Sequence, residues 1–238
     1  MTVSRRVAIM QPYFMPYMGY WQLMNYVDKF VVYDDIQFTK KGWIHRNRYL
    51  NNGSDQMLTL PLKKDSDYLD VAERYLSQTW PKEKDKLFRK VEAAYRKAPY
   101  FDEGISVFRE CLNYPGDNLF EFIFHSIKVI GSYLGIESEL LISSEAASTN
   151  HLKGERRVIA ICNALDASEY VNPIGGKELY AHETFNENDL SLKFHRIDEI
   201  VYQQFNSEFI SNLSILDVLM FNGIAGTRNL LSRFSLDD

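Results

Sequence analysis

Arg6-Val7-Ala8-Ile9-Met10-Gln11-Pro12-Tyr13-Phe14-Met15-Pro16-Tyr17-Met18-Gly19-Tyr20, running on to Phe30-Val31-Val32-Tyr33-Asp34-Asp35, is the stretch whose reading decides the fold. Its first six residues are a compact apolar run that ends in a polar side chain and then a proline. That pattern predicts a buried strand, stopped where proline removes the backbone donor. Pro12 and Pro16 stiffen the loop after it. Gly19–Asp28 reads as a short helix, with Tyr20, Leu23, Met24 and Val27 at helical spacing. Phe30–Tyr33 reads as a second strand. Strand, loop, helix, strand is a βαβ unit, so the two strands are expected to be parallel and the crossover right-handed. Ligands of parallel α/β sheets bind beyond the carboxyl ends of the strands. Gln11, the Pro12–Met18 loop, Asp34 and Asp35 are therefore expected on one rim.

Further along the chain, Trp43–Leu50 alternates basic and apolar residues. Met57–Leu62 reads as a strand, placed at an edge by Pro61. Residues 63–79 are polar and carry no clear period. Helices are expected near 81–98, 101–112 and 118–135. The last carries Phe120, Ile123, Phe124, Ile127, Ile130 and Leu134 on one stripe, with Asn118 and Glu121 as a capping pair. Leu140–Ser143 reads as a short strand and 152–165 as a helix with Val158, Ile161, Cys162 and Leu165 facing inward. Tyr170-Val171 reads as a strand, Leu190–His195 alternates as another, and Phe209, Leu213, Leu216 and Met220 mark a final helix. No repeat or linker interrupts the chain. The expectation is one α/β domain over residues 1–238, a Rossmann-like, mostly parallel sheet with a helical insertion at about 80–135.

Hydrophobic residues make up 45% and charged residues 25% of the 238, as in an ordinary globular protein. Fifteen Tyr, fifteen Phe and three Trp can fill a core, and they also suit a polar, ring-lined cleft. The net charge of −5 with no polybasic tract argues against extensive nucleic-acid contact. Local basic clusters at Lys40–Lys41, Arg46–Arg48 and Arg156–Arg157 suit a small anionic ligand. Cys111 and Cys162 sit in helical stretches and suggest no disulfide framework. The five His are scattered without zinc spacing, so no protein metal site is expected. The N-terminus lacks a signal-peptide pattern, and no apolar run reaches membrane length, so a cytoplasmic protein without a membrane span is expected. A homodimer is left open.

The densest polar stretch runs from Asp34 to Arg48. It can hold a phosphate through Arg46 and Arg48, a cation through an Asp, or an amine through an Asp or His45. It also reads as a solvated loop and an exposed strand edge. Asp34 and Asp35 would point to opposite faces if the strand continued. Each suits a general base or Mg²⁺ ligand, and each equally suits the opening of a turn. His45 fits a general base by its ordinary pKa, or a structural role. Asn172-Pro173-Ile174-Gly175-Gly176-Lys177 leaves a strand. Its glycine N–H groups can cradle an anion beside Lys177, although Gly-Gly also makes an ordinary turn and the P-loop spacing is absent. Lys153, Arg156 and Arg157 open a helix against its dipole, as a bound phosphate or a solvated face would allow. Asp217 is a tempting acid, but Ser214-Ile215-Leu216-Asp217 reads better as a capping box.

Gln11-Pro12, Tyr17-Met18-Gly19-Tyr20, Asp34-Asp35, Arg46-Asn47-Arg48, Asn172–Lys177 and Asn212–Asp217 together resemble the WbqC-like family over nearly the whole chain. The resemblance implies surface-polysaccharide (O-antigen) synthesis and a glycyl, aminoacyl or acyl transferase that forms an amide on a nucleotide-linked amino sugar. Arg46, Arg48 and Lys177 would then hold phosphates. Gln11, Tyr13, Tyr17, Tyr20, Asn47, Asn172, Gly175 and Gly176 would contact substrate, and Asp34, Asp35 or His45 would take the amine proton. ATP and Mg²⁺ are the expected cofactors if the acyl group is activated as an adenylate; a carrier or aminoacyl-tRNA donor stays open. A more distant similarity is to nucleotidyltransferases of the HxGH type. Tyr17-Met18-Gly19-Tyr20 stands where their two histidines would be, and neutral tyrosine can only donate a hydrogen bond there. A non-catalytic ligand-binding protein of the same pathway is the remaining alternative.

Overall fold

Val7 to Met10 pair with Lys29 to Val32 in parallel register, Val7 opposite Lys29 and Met10 opposite Val32. In the computed structural model, which describes residues 5–205 and 208–238, these are β1 (Arg6–Met10) and β2 (Lys29–Val32), joined by α1 (Met18–Tyr26). The first four residues and positions 206 and 207 of the expected 1–238 span lie outside the described residues. Next come β3 (Arg46–Asn51), β4 (Ser54–Thr59), α2 (Trp80–Tyr95), α3 (Phe101–Leu112) and α4 (Leu119–Leu134). They are succeeded by β5 (Glu139–Ile142), the short α5 (Ser143–Ala146), α6 (Gly154–Ala164), β6 (Glu169–Pro173) and α7 (His182–Asn186). The chain closes with β7 (Ser191–Ile197), α8 (Ile215–Leu230) and β8 (Phe234–Asp237).

The central sheet has the order β5-β2-β1-β6-β7-β8. Every neighbouring pair is parallel except β7 with β8. This is the Rossmann-like, mostly parallel arrangement expected from the βαβ reading. The chain steps from β1 to β2 to β5 on one side, then returns to lay β6 and β7 on the other. The connections leaving β1 and β6 therefore diverge, and a crevice opens between their carboxyl ends.

The pleat explains why both sheet faces are apolar. Ala8, Phe30 and Val32 face a core shared with α1, α4 and α8, while Val7, Ile9 and Val31 face a second core with α6 and Phe185 of α7. Burying each such large side chain contributes roughly 1.5–3 kcal/mol. The inserted helices share the first core: Phe122, Ile123 and Ile127 of α4 are fully buried in it. Asn118 caps α4 by accepting the Glu121 N–H at 3.1 Å. Glu121 does not return the bond; its carboxylate accepts from the Tyr114 hydroxyl at 2.5 Å.

Three expectations are corrected by tertiary packing. The strand expected at Met57–Leu62 is β4, which starts at Ser54, and it pairs with β3 in a separate two-stranded sheet. Asn52 and Gly53 turn that hairpin with φ of 51° and 76°, the two-residue geometry Asn-Gly favours. The final helix starts at Ile215, not near Phe209, whose ring packs on Tyr202 at 5.1 Å. Ser214 does cap it, accepting the Leu216 N–H at 3.2 Å. Asp217 does not complete a capping box. It is a buried carboxylate that accepts from Tyr95 Oη (2.8 Å), Tyr202 Oη (2.6 Å) and Gln204 Nε2 (2.7 Å). The closing strand β8 has four residues, too short a period to be read in sequence. Among the described residues no helix is long and apolar enough to cross a membrane.

Candidate functional site

The crevice between β1 and β6 encloses about 540 Å³, and its lining comes from the loops at the carboxyl ends of three strands: Gln11, Pro12 and Tyr13 after β1, Tyr33 and Ile36 after β2, and Asn172, Gly175, Gly176 and Tyr180 at the end of β6 and beyond it. Tyr17 and Trp43 close it. Among the described residues no charged side chain lines it. A volume of this size suits a small-molecule ligand. Its aromatic walls with polar edges suit a sugar or base ring.

Loop geometry builds the aromatic wall. Met15 takes the left-handed conformation at φ 50°, which turns the chain between the two prolines. Asn47 holds that turn: fully buried, it donates to the carbonyls of Phe14 and Met15 and accepts the Arg48 N–H at 2.7 Å. Phe14 N–H also donates to the Ile44 carbonyl at 2.9 Å. The loop is thereby tied to β3 and its approach, and Tyr13 lands at the centre of a ring cluster. Its centroid lies 6.5 Å from Tyr17, 6.4 Å from Tyr20 and 6.3 Å from Trp43. Burial, with the Tyr17 hydroxyl nearby, pushes the Tyr13 phenol well above its ordinary range, so it stays a neutral donor.

Opposite this wall, Asn172 accepts the Tyr170 hydroxyl at 3.0 Å and donates to the Pro173 carbonyl at 3.0 Å. Its amide leaves no room for a side chain at Gly176, where a Cβ would stand 2.2 Å from Nδ2. A Cβ on Gly175 would meet nothing within 4 Å, so it would project into open space.

A second depression adjoins the crevice, sharing Tyr33, Ile36 and Tyr180 with it, and here the charges gather. Asp35, Asp70, Lys153 and Arg157 line it. The chain leaves β2 at Val32, so the adjacent acids are not confined to opposite faces of a strand. Asp34 turns to α5, accepting from the Ser144 N–H at 3.0 Å and the Ser144 hydroxyl at 2.6 Å, and it is buried. Asp35 turns to α6, where Arg157 pairs with it at 2.5 Å and donates to its carbonyl at 3.1 Å. Ser143 Oγ lies within hydrogen-bond distance of both carboxylates, 2.8 Å from Asp34 and 2.6 Å from Asp35. Burial alone would raise the Asp35 pKa, but the Ser143 hydroxyl and Arg157 outweigh it and hold the carboxyl below its usual range. Asp70 goes the other way: burial first, then the Glu73 and Asp35 charges, raise it.

Several expected residues stand elsewhere. Tyr20 is fully buried and its hydroxyl donates to the Gln11 carbonyl at 3.3 Å, so the Tyr17–Tyr20 quartet does not present two side chains to a ligand. Arg46 and Arg48 lie beside Trp43, their guanidinium carbons 5.7 and 5.9 Å from its ring centroid, and do not line the crevice. Arg46 donates to the Gly42 carbonyl and Arg48 pairs with Asp55 at 3.1 Å. Lys177 donates to the Asp238 carbonyl at 2.5 Å and lies over Phe194. His45 faces a different cavity, beside Phe38. Burial, reinforced by Arg46 and Arg74, pushes its pKa down to about 4. Tyr33, Trp43, Asp70 and Tyr180 were not singled out by sequence, since no motif marks them and Asp70 falls in the patternless 63–79 stretch. Among the described residues no three His, Cys, Asp or Glu side chains converge as a metal set.

The fold and crevice define a Rossmann-like α/β protein with an aromatic-walled cleft at its switch point. Residues 11–229 match the family model of the WbqC-like protein family, and the chain belongs to that family. It is 30% identical over 222 residues to the Mycobacterium tuberculosis protein described as uncharacterized protein Rv1507c, across 92% of this chain and 94% of the relative. No solved structure matches the chain.

Proposed function

We propose that this protein is a surface-polysaccharide (O-antigen) biosynthetic enzyme that forms an amide on a nucleotide-linked amino sugar, transferring a glycyl, aminoacyl or other acyl group. The observation that carries this reading is the pairing of two compartments. An uncharged, tyrosine- and tryptophan-walled crevice suits the rings, and it opens onto a charged depression that suits a diphosphate and an amine. Gln11, Tyr13, Tyr17 and Asn172 orient the sugar or base. Lys153, at the start of α6, meets the phosphates, a role the crevice geometry favours over Arg46, Arg48 or Lys177. Asp35 takes the proton. The amine nitrogen attacks the acyl carbon, the bond from that carbon to its leaving group breaks, and the ammonium proton passes to the carboxylate. Asp34 is occupied by Ser143 and Ser144 and supports Asp35 from behind. The burial of Tyr20 weighs against nucleotidyl transfer of the HxGH kind.

The experiment is to incubate the protein with ATP, glycine and a panel of nucleotide-linked amino sugars and to search for an amide by mass. Asp35→Asn is expected to lower turnover about 10²-fold or more while keeping nucleotide-sugar binding. Gly175→Leu, whose side chain enters empty space, is expected to weaken binding about tenfold or more while leaving the unfolding midpoint unchanged. Absence of any amide product, together with no thermal shift from any nucleotide sugar, rejects the assignment.

A further inference from the structure

Residues 38–45 have two sides. Gly42, Trp43 and Ile44 line the crevice, whereas Phe38, Lys40 and His45 line a separate cavity of about 370 Å³. Arg74 closes this second cavity and is only 5% exposed. Its Nη1 donates to the Ser66 carbonyl at 2.6 Å and its Nη2 to the Lys63 carbonyl at 3.4 Å, and its guanidinium lies 4.7 Å from the Phe38 ring centroid. Its Nε has no hydrogen-bond partner. Among the described residues Arg74 makes no ion pair. A buried guanidinium satisfied only by carbonyls and a ring lacks a counterion, a costly arrangement unless an anion visits it.

The surroundings deepen the positive field. Lys40, Lys63 and Lys64 line the cavity with Arg74, against two carboxylates, Asp65 and Asp67. One of these, Asp65, stands 3.7 Å from Lys63. Lys40 and Lys64 are exposed and free to swing toward a ligand. The His45 Nδ1 is also buried without a partner. The low pKa of this imidazole keeps it neutral, so its ring can offer an N–H to an incoming acceptor without adding charge.

The geometry points to a second binding site here, distinct from the crevice, that takes a phosphate group through Arg74, Lys40, Lys64 and the His45 imidazole. Arg74 supplies the fixed, preorganised charge, and the two lysines close over the anion from solvent. Because the 38–45 segment forms a wall of both cavities, an anion bound on one side stiffens the segment carrying Trp43 on the other. This site does not depend on the amide-forming assignment.

Isothermal titration with inorganic pyrophosphate at fixed ionic strength tests it. The intact protein is expected to bind saturably. The double variant Lys40→Ala/Lys64→Ala removes two exposed side chains without disturbing the core, and it is expected to bind about tenfold or more weakly. The charge-matched double variant Lys82→Ala/Lys90→Ala, at two exposed lysines of α2 outside this cavity, is expected to bind pyrophosphate as the intact protein does. No saturable binding, an unchanged affinity in the Lys40→Ala/Lys64→Ala variant, or an equal loss in the Lys82→Ala/Lys90→Ala variant would each overturn the site. UDP serves as a second arm. Displacement of pyrophosphate by UDP, itself sensitive to Lys40 and Lys64, identifies a nucleotide as the phosphate source, and failure to displace it identifies a free anion. The amide assay is separate, so its failure leaves this result standing.

Discussion

Neighbouring residues in one polar stretch have parted ways by the bonds they find. Asn47, expected from the sequence to contact substrate, is fully buried and clips the Phe14 and Met15 carbonyls. Truncation would leave those carbonyls and the Arg48 N–H without partners. Asn47→Ala is therefore expected to lower the unfolding free energy by about 2–3 kcal/mol in urea denaturation, and a loss below about half a kcal/mol would show that the loop does not need the clip. Asp34 and Asp35 make the same point. Both residue types were legible as candidate acids, but only the position of α5 and α6 decides that Asp34 is consumed by serines while Asp35 faces the charged depression. No spacing rule encodes a partner more than a hundred residues away.

At the scale of elements, the period and the limits of the long amphipathic helices were readable. α3 matches its expected limits, and α4 and α6 lie within a residue or two of theirs, because long amphipathic stripes announce themselves. α8 shows what period cannot say. It is broken at Gly223, with φ 66° and ψ 179°, a conformation essentially confined to glycine. The second half restarts with the Glu103 carboxylate accepting the Ile224 N–H at 2.8 Å, so α3 caps a helix remote in sequence. A Cβ at Gly223 would also stand 2.6 Å from the Tyr100 ring. Gly223→Ala is expected to cost about 2 kcal/mol or more, read from the same denaturation curves. A neutral substitution would mean that α8 can straighten at this point.

The whole molecule carries an acid-sensitive pair. His45 and the 3% exposed His195 both have pKa values pushed down to about 4, by burial in each case. In the unfolded chain each returns to about 6.5. As pH falls below that value the unfolded state takes up protons the folded state refuses, so stability present above about pH 6.5 is lost progressively toward about pH 4. His195 packs on Phe234 of β8 and its Nε2 has no partner, so His195→Phe suits the site. The variant is expected to lose about 1.5 kcal/mol less than the parent between about pH 6.5 and 5, measured by urea denaturation at each pH. An identical pH dependence in both proteins would show that His195 does not contribute.

The βαβ order, the parallel sheet, the inserted helices and the rim holding Gln11 and Asp35 were legible in residues 6–35 and in the helical stripes, because period and proline placement act locally along the chain. The uncharged aromatic crevice, the burial of Tyr20 and Asn47, the diversion of Arg46, Arg48 and Lys177 to other partners, and the exposed-lysine cavity around Arg74 were settled by tertiary structure alone. A charged or amide side chain takes whichever partner the packed elements bring within about 3 Å, and that partner is fixed by how strands order in space rather than by its distance in sequence.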